Sequence, residues 1–169
     1  MSLVFQDPLA DTEALIRRVY AYVAYRIGDG PDAEDVTSET FERALRYRSS
    51  YDATKGQPAA WLVGIARRCI EDGRAPRPTP IAEIPDGTGP GEPADDAIRR
   101  LDLAAAVAQL AERDRELIAL RYGADLTARQ IGALLDLQTN AVEVALHRAL
   151  ERLRAAMRAE PPRQLAAEL

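Results

Sequence analysis

Cysteine, histidine and lysine each occur once in this chain, as Cys69, His147 and Lys55. A single cysteine cannot form an internal disulfide and fits a reducing compartment. One cysteine with one histidine cannot build a Cys/His zinc site. Neither a metal nor another cofactor is therefore expected. No apolar run approaches the roughly 18–20 residues of a membrane span, so no membrane insertion is expected. The first residues, Met1-Ser-Leu-Val-Phe-Gln-Asp-Pro8, lack the basic and apolar regions of a secretory signal. A cytoplasmic location is expected. No nucleophile or paired carboxylate recurs near His147 in sequence, so this histidine is read as a surface or half-buried structural residue. No catalytic constellation supports an enzyme, and no strand pattern or internal repeat is evident.

What is present is a soluble, core-forming composition. The 169 residues are 47% hydrophobic and 29% charged, with a net charge of −5. The charge is uneven: −2 over 1–75, −4 over 76–97 and +1 over 98–169. Arginine supplies all the basic residues except Lys55. No segment is strongly basic, so tight DNA binding by the free chain is not expected. A partner can supply the phosphate attraction instead.

Residues 76–97 hold Pro76, Pro78, Pro80, Pro85, Pro90 and Pro93 with Gly87, Gly89 and Gly91. Proline removes donors and fixes φ, and glycine raises the entropy cost of ordering, so this acidic stretch is read as a flexible linker. It divides an N-terminal helical domain, 1–75, from a C-terminal one, 98–169. In the first, Leu15, Val19, Val23 and Ile27 recur on one helical face. Gly28 to Pro31 stops that helix, and Asp32 is expected to cap the next. Val36, Thr40, Phe41, Ala44 and Leu45 form the second stripe. Pro58 opens a third helix, with Trp61, Leu62, Ile65, Cys69 and Ile70 inward.

In the second domain, Ile98, Leu101, Ala105, Val107 and Leu110 mark one helix. Leu117, Ile118 and Leu120 mark the next, with Gly123 as its C-terminal stop. Thr127 caps a short helix to about Leu135. Asp136 to Thr139 forms a turn. A long helix from Asn140 to about Arg158 carries Val142, Leu146, Leu150 and Leu153. Short helix, tight turn and longer helix make a helix-turn-helix. The expected fold is all-α: two small helical domains joined by a Pro/Gly-rich acidic linker.

Three strings carry a family resemblance. The first is Asp32-Ala-Glu-Asp-Val-Thr-Ser-Glu-Thr-Phe-Glu-Arg-Ala-Leu45. The second contains Tyr51-Asp52, Lys55-Gly56, Trp61-Leu62, Ile65-Ala66-Arg67 and Asp72. The third runs from Leu110 to Arg154. In this order and at this distance they resemble regions 2 and 4 of bacterial extracytoplasmic-function (ECF) sigma factors. The resemblance implies a dissociable RNA polymerase subunit that recognises and melts promoters, the chemistry belonging to the core enzyme. It implies that Asp35, Glu39, Glu42 and Arg43 are exposed contacts for the clamp helices of the β′ subunit, and that the C-terminal domain meets the β flap. It also implies an anti-sigma partner.

For the second string the resemblance implies capture of a flipped base of the −10 element by the loop before the third helix. A melted base needs a pocket and stacking surfaces, and its backbone needs cations. Lys55, Trp61, Arg67, Arg68 and Arg74 are the candidates, with a core anchor the favoured reading of Trp61. For the third string it implies −35 readout of duplex DNA by the recognition helix. Gln138, Thr139, Asn140, Glu143, Val144 and His147 are the base-edge candidates, with Arg129 and Arg148 on phosphate. For Arg148, Arg152 and Arg154, a solvated face with ion pairs to Glu143 or Glu151 is the alternative.

The chain also departs from the family pattern. Arg68 stands where Asn is common, and Gly73-Arg74-Ala75-Pro76 replaces a basic end. Glu143-Val144-Ala145 replaces a Lys-Ser-Arg-like triplet, and Asp136 replaces a turn glycine. These departures keep a second reading open: a sigma-like module that sequesters an anti-sigma factor without reading promoters.

Overall fold

The computed structural model describes residues 7–73 and 94–159. Residues 76–93 of the expected linker, and Arg74, lie outside the described residues. The last residues of the expected linker already belong to a helix, which begins at Ala94.

Among the described residues the regular structure is all helical. The first half contains α1 (Thr12–Ile27), α2 (Pro31–Arg46) and α3 (Pro58–Gly73). The second contains α4 (Ala94–Gln109), α5 (Glu112–Ile118), α6 (Ala128–Leu135) and α7 (Thr139–Ala159). A five-residue π-helical stretch, Ala119–Gly123, follows α5.

Helix α1 buries Leu15, Val19, Tyr22 and Val23, as its apolar period requires. Gly28 and Gly30 end it with φ values of 92° and 127°, a region that side chains rarely adopt. Pro31 then fills the first helical position, whose missing N–H would be unpaired anyway. Asp32 therefore does not cap α2; Gly30 does, and Asp32 sits in the first turn. Its charge there still complements the helix dipole, as Arg43 and Arg46 do at the other end.

The inward face of α2 is rotated from the expected stripe. Ala33, Thr37, Thr40 and Ala44 are buried, whereas Leu45 is 59% exposed. Small side chains let α2 lie close to its neighbours. The threonine hydroxyls can be buried because each donates to a carbonyl one turn back, Thr37 to Ala33 and Thr40 to Val36, both at 2.7 Å. On α3, Leu62, Cys69 and Ile70 are inward as expected, joined by Ala59, Val63 and Ala66, while Trp61 and Ile65 are half-buried. Burial pushes the Cys69 thiol up, which leaves it an unreactive core residue.

In the second half, Ala106, Val107 and Leu110 pack with Ile118, Ala149 and Leu153. Ile98 was expected in this core but is 52% exposed, because the packed part of α4 begins near Leu103. Arg115 donates to the Ala108 and Leu110 carbonyls at 3.0 and 2.8 Å, placing a cation at the C-terminal end of α4. Thr127 caps α6 through a reciprocal capping box with Gln130. Asp136 takes the left-handed conformation (φ 56°) that ends α6, in place of a glycine. Gly132 supports the same turn: a Cβ there would lie 2.6 Å from the Leu137 carbonyl oxygen.

The two halves share one core. Tyr22, Leu62 and Val63 of the first half cluster with Leu117, Leu120, Leu126, Ile131 and Val142 of the second. Gly123 lies at this junction, and it does not have the positive φ of a helix stop. A Cβ on it would sit 2.9 Å from the Ala21 carbonyl oxygen and from Tyr22 Cα. Glycine is needed there for backbone contact with α1. Arg18 of α1 reinforces the contact, donating to the carbonyls of Ala124 and Asp125 at 2.8 and 3.1 Å.

Candidate nucleic-acid interface

Helix α2 presents Asp35, Glu39 and Glu42 to solvent. Arg43 is half-buried and engaged: it pairs with Glu39 one turn back and with Asp72 of α3 at 2.9 Å. The Asp72 and Glu39 hydrogen bonds raise its pKa further. Arg43 thus ties α2 to α3, while Asp35, Glu42 and the Arg43-paired Glu39 make the exposed acidic face.

The loop between α2 and α3 is folded by its own polar groups. Asp52 accepts from the Thr54 backbone N–H at 2.9 Å and from its hydroxyl at 2.6 Å. The two hydrogen bonds hold the Asp52 carboxyl below its usual range. The Tyr51 hydroxyl donates to the Gly56 carbonyl at 3.0 Å. Tyr51 also tilts against Trp61, with ring centroids 5.3 Å apart. Trp61 is neither fully buried nor free; it is a wall between core and loop. Lys55 and Arg68 are exposed.

Arg67 lies differently. Its Nε donates to Glu116 Oε1 of α5 at 2.6 Å, and its Nη2 lies 3.4 Å from Glu71. The same Glu116 oxygen accepts from Arg26 Nη1 at 3.0 Å. Arg26, 5% exposed, also donates to the Tyr22 hydroxyl at 2.9 Å. Sequence reading missed Arg26 and Glu116. The available signal was Arg26 sitting four residues after Tyr22 on the inward face of α1.

Burial pushes the Tyr22 phenol from 10.0 up to about 12, against the opposing pull of Arg26. The folded value lies above the ordinary one. The stability held by the neutral phenol is therefore intact below pH 10 and lost as pH rises toward 12. Urea midpoints are expected to fall across that window, and Tyr22→Phe is expected to flatten the fall.

The helix-turn-helix comprises α6, the turn through Asp136 and α7. Gln138, Thr139, Asn140, Glu143, Val144, His147 and Arg148 are all exposed on or beside the first turns of α7, and Arg129 is exposed on α6. Arg113 of α5 joins them: it lines an open groove of about 640 Å³ with Gln138, Asn140, Val144 and Arg148. Its chain position, before the helix-turn-helix, gave no hint of this. His147 pairs with Glu151 at 3.3 Å on the exposed face. Arg152 does not pair within α7; it reaches Asp114 of α5, donating to both carboxylate oxygens at 2.9 and 2.8 Å. Asp114 is 7% exposed, so this pair anchors α7 to α5.

An acidic helix face, an aromatic loop carrying Lys55 and a helix-turn-helix give an all-helical protein with surfaces of the kind that bind nucleic acid. Residues 12–75 match the family model of sigma-70 region 2, and residues 106–155 match that of sigma-70 region 4. The ECF RNA polymerase sigma factor BldN of Streptomyces coelicolor is 32% identical over 143 residues, covering 80% of this chain and 54% of BldN. SigK of Mycobacterium ulcerans is 30% identical over 146 residues, covering 81% of this chain and 78% of SigK. SigL of Mycobacterium tuberculosis is 31% identical over 143 residues, covering 80% of each chain. The chain belongs to the ECF RNA polymerase sigma factors, a family of transcription initiation subunits rather than enzymes. Two solved structures share the fold. RpoE bound to the anti-sigma factor NepR, from Bartonella quintana, has a TM-score of 0.65 and 16% identity, covering 89% of this chain and 96% of RpoE. CnrH bound to the cytosolic domain of CnrY has a TM-score of 0.59 and 23% identity, covering 90% of this chain and 86% of CnrH. No helix among the described residues is long and apolar enough to cross a membrane.

Proposed function

We propose that this chain binds core RNA polymerase in the cytoplasm and directs promoter recognition and melting. The observation that carries this is the occurrence, in one chain, of a region 2 match with an exposed acidic α2 face and a region 4 match with a polar recognition helix. Asp35, Glu39 and Glu42 are assigned to the β′ clamp helices, and the second half to the β flap. Lys55, Trp61, Arg67, Arg68 and Arg74 are assigned to the −10 strand. Gln138, Thr139, Asn140, Glu143, Val144 and His147 are assigned to −35 base edges. Arg129 and Arg148 are assigned to phosphate. The working division is 1–75 for the −10 unit, 76–97 for the linker and 98–169 for the −35 unit. RpoE and CnrH are each seen with a partner, NepR and CnrY; an anti-sigma factor is the corresponding partner proposed here.

Glu143 and Val144 favour an unusual −35 preference. A glutamate repels phosphate but accepts from cytosine N4, and valine suits a thymine methyl. Arg113 supplies a cation on the far side of the groove. With polymerase-bound chain, Arg113→Ala is expected to weaken duplex −35 binding uniformly across sequences and to lower the salt slope by about 0.9. Glu143→Gln is expected to change which sequence is preferred. The triple variant Asp35→Ala, Glu39→Ala, Glu42→Ala is expected to abolish core-polymerase capture. Failure of the unaltered chain to capture core polymerase would favour instead a module that sequesters an anti-sigma factor.

A further inference from the structure

Helices α1 and α4, with Arg115 of α5, line a cavity of about 330 Å³. None of its residues belongs to the acidic face of α2, the loop before α3 or the groove beside α7. The volume falls at the lower end of small-molecule sites. Tyr25 of α1 lines one side, and Leu103, Ala104 and Val107 of α4 line another. Val107 is buried, and the half-buried Tyr25 and Leu103 pack on the same cluster, so the apolar wall is anchored in the core.

Two arginines, Arg100 and Arg115, and one acid, Asp29, supply the charge of the lining. Asp29 is exposed and already accepts from the Tyr20 hydroxyl. Arg115 is half-buried, and among the described residues its hydrogen bonds go to carbonyls only. Ala108 and Leu110 engage its Nη2, but Nη1 has only a 3.5 Å contact with the Arg26 carbonyl, and Nε is buried without an acceptor. Burial, and then the neighbouring Arg26 charge, push this guanidinium below its usual range, against a smaller pull from Glu112. A cation in such surroundings gains from an added anion.

We propose that this cavity binds a small apolar carboxylate, its hydrocarbon body between Tyr25 and α4 and its carboxylate on Arg115. Wall and cation select together: a neutral hydrocarbon leaves the cation unmatched, and a small hydrophilic anion leaves the apolar wall wet. Charge-assisted hydrogen bonds are the stronger kind, and salt screens a half-buried partner less than a surface one. Because the ligand touches both α1 and α4, its binding stabilises their packing.

The test uses the full chain with cinnamate as the probe and cinnamyl alcohol as its neutral counterpart. Titration calorimetry and melting temperature are the readouts. One equivalent of cinnamate is expected to bind with a Kd of about 1 mM or tighter and to raise the melting temperature. The alcohol is expected to bind at least about ten-fold more weakly. Ala104→Phe fills the cavity from an exposed position on α4 without altering charge, and is expected to abolish binding. Arg115→Gln is expected to reduce the affinity for cinnamate to that for the alcohol. Arg129→Ala alters the separate cavity of about 490 Å³ beside the loop before α3, and is expected to leave binding unchanged. Absence of saturable binding up to about 10 mM, or binding that survives in Ala104→Phe, overturns the site. Equal affinity for the alcohol overturns the carboxylate class, and full affinity in Arg115→Gln overturns the contact with Arg115. Loss of binding in Arg129→Ala places the probe in the other cavity and overturns the proposal. If Arg115→Gln proves unstable, Ala104→Phe and the alcohol still decide.

Discussion

Gly123→Val is expected to be the most disruptive single substitution at the junction of the two halves. A Cβ at this position meets backbone atoms of Ala21 and Tyr22 at 2.9 Å, and backbone cannot swing aside as a long side chain can. Overpacking of a well-filled core costs about 1–3 kcal/mol, and the upper end applies where the obstacle is main chain. At that size the melting temperature falls by ~6–12 °C for a chain of this length. The loss should come with separation of the halves, because Leu117, Leu120 and Ile131 share their core with Tyr22 and Leu62. Calorimetry paired with solution scattering reads both effects. A lower melting temperature with a radius of gyration larger by several ångströms is the expected pair of results. An unchanged radius and melting temperature would mean that α1 and the Ala119–Gly123 stretch do not pack as described.

Arg26→Ala is expected to be the most damaging loss of a charge. Arg26 is 5% exposed and its guanidinium meets Tyr22, Glu116 and, at 3.5 Å, Glu112. Removing one member of a buried pair costs about 3–5 kcal/mol, because the remaining charge keeps its desolvation penalty. Arg67 still holds Glu116 in the variant, so the lower end, about 3 kcal/mol, is expected. Arg17 gives the internal comparison. It pairs with Glu13 on the outer face of α1, with side chains 67% and 86% exposed. Arg17→Ala should cost no more than ~0.5 kcal/mol. Urea denaturation of the two variants checks the contrast; equal losses would refute the burial argument for Arg26.

The residues that were legible in the sequence are those whose role is local. The apolar period placed α1, α3 and α7, Pro58 set the start of α3, and Thr127 announced the cap of α6. The exposed acidic residues of α2 and the exposed polar turn of α7 were readable through the family resemblance, which placed them by position in the motif. The residues that were not legible depend on partners far away in the chain. Arg26 and Glu116 are separated by 90 positions, and nothing local marks an arginine as buried. Gly123 read as a helix stop, because sequence cannot distinguish a glycine needed for φ from one needed for close approach. Leu45 and Ile98 carry apolar side chains but fall outside the contact zones of their helices. Arg43 read as an exposed contact and Arg67 as a cation for the strand, and each is tied to a carboxylate in another helix. Helical period gives the face of an element; it does not give the neighbour that the face meets.

The most direct measurement is transcript mapping. Core RNA polymerase is incubated with a library of promoter fragments, with and without the purified chain, and the 5′ ends are sequenced. The expected result is a set of start sites that appears only with the chain and shares one −10 and one −35 sequence at a fixed spacing. Stable binding to core polymerase with no chain-dependent start sites would contradict the proposed promoter-reading role.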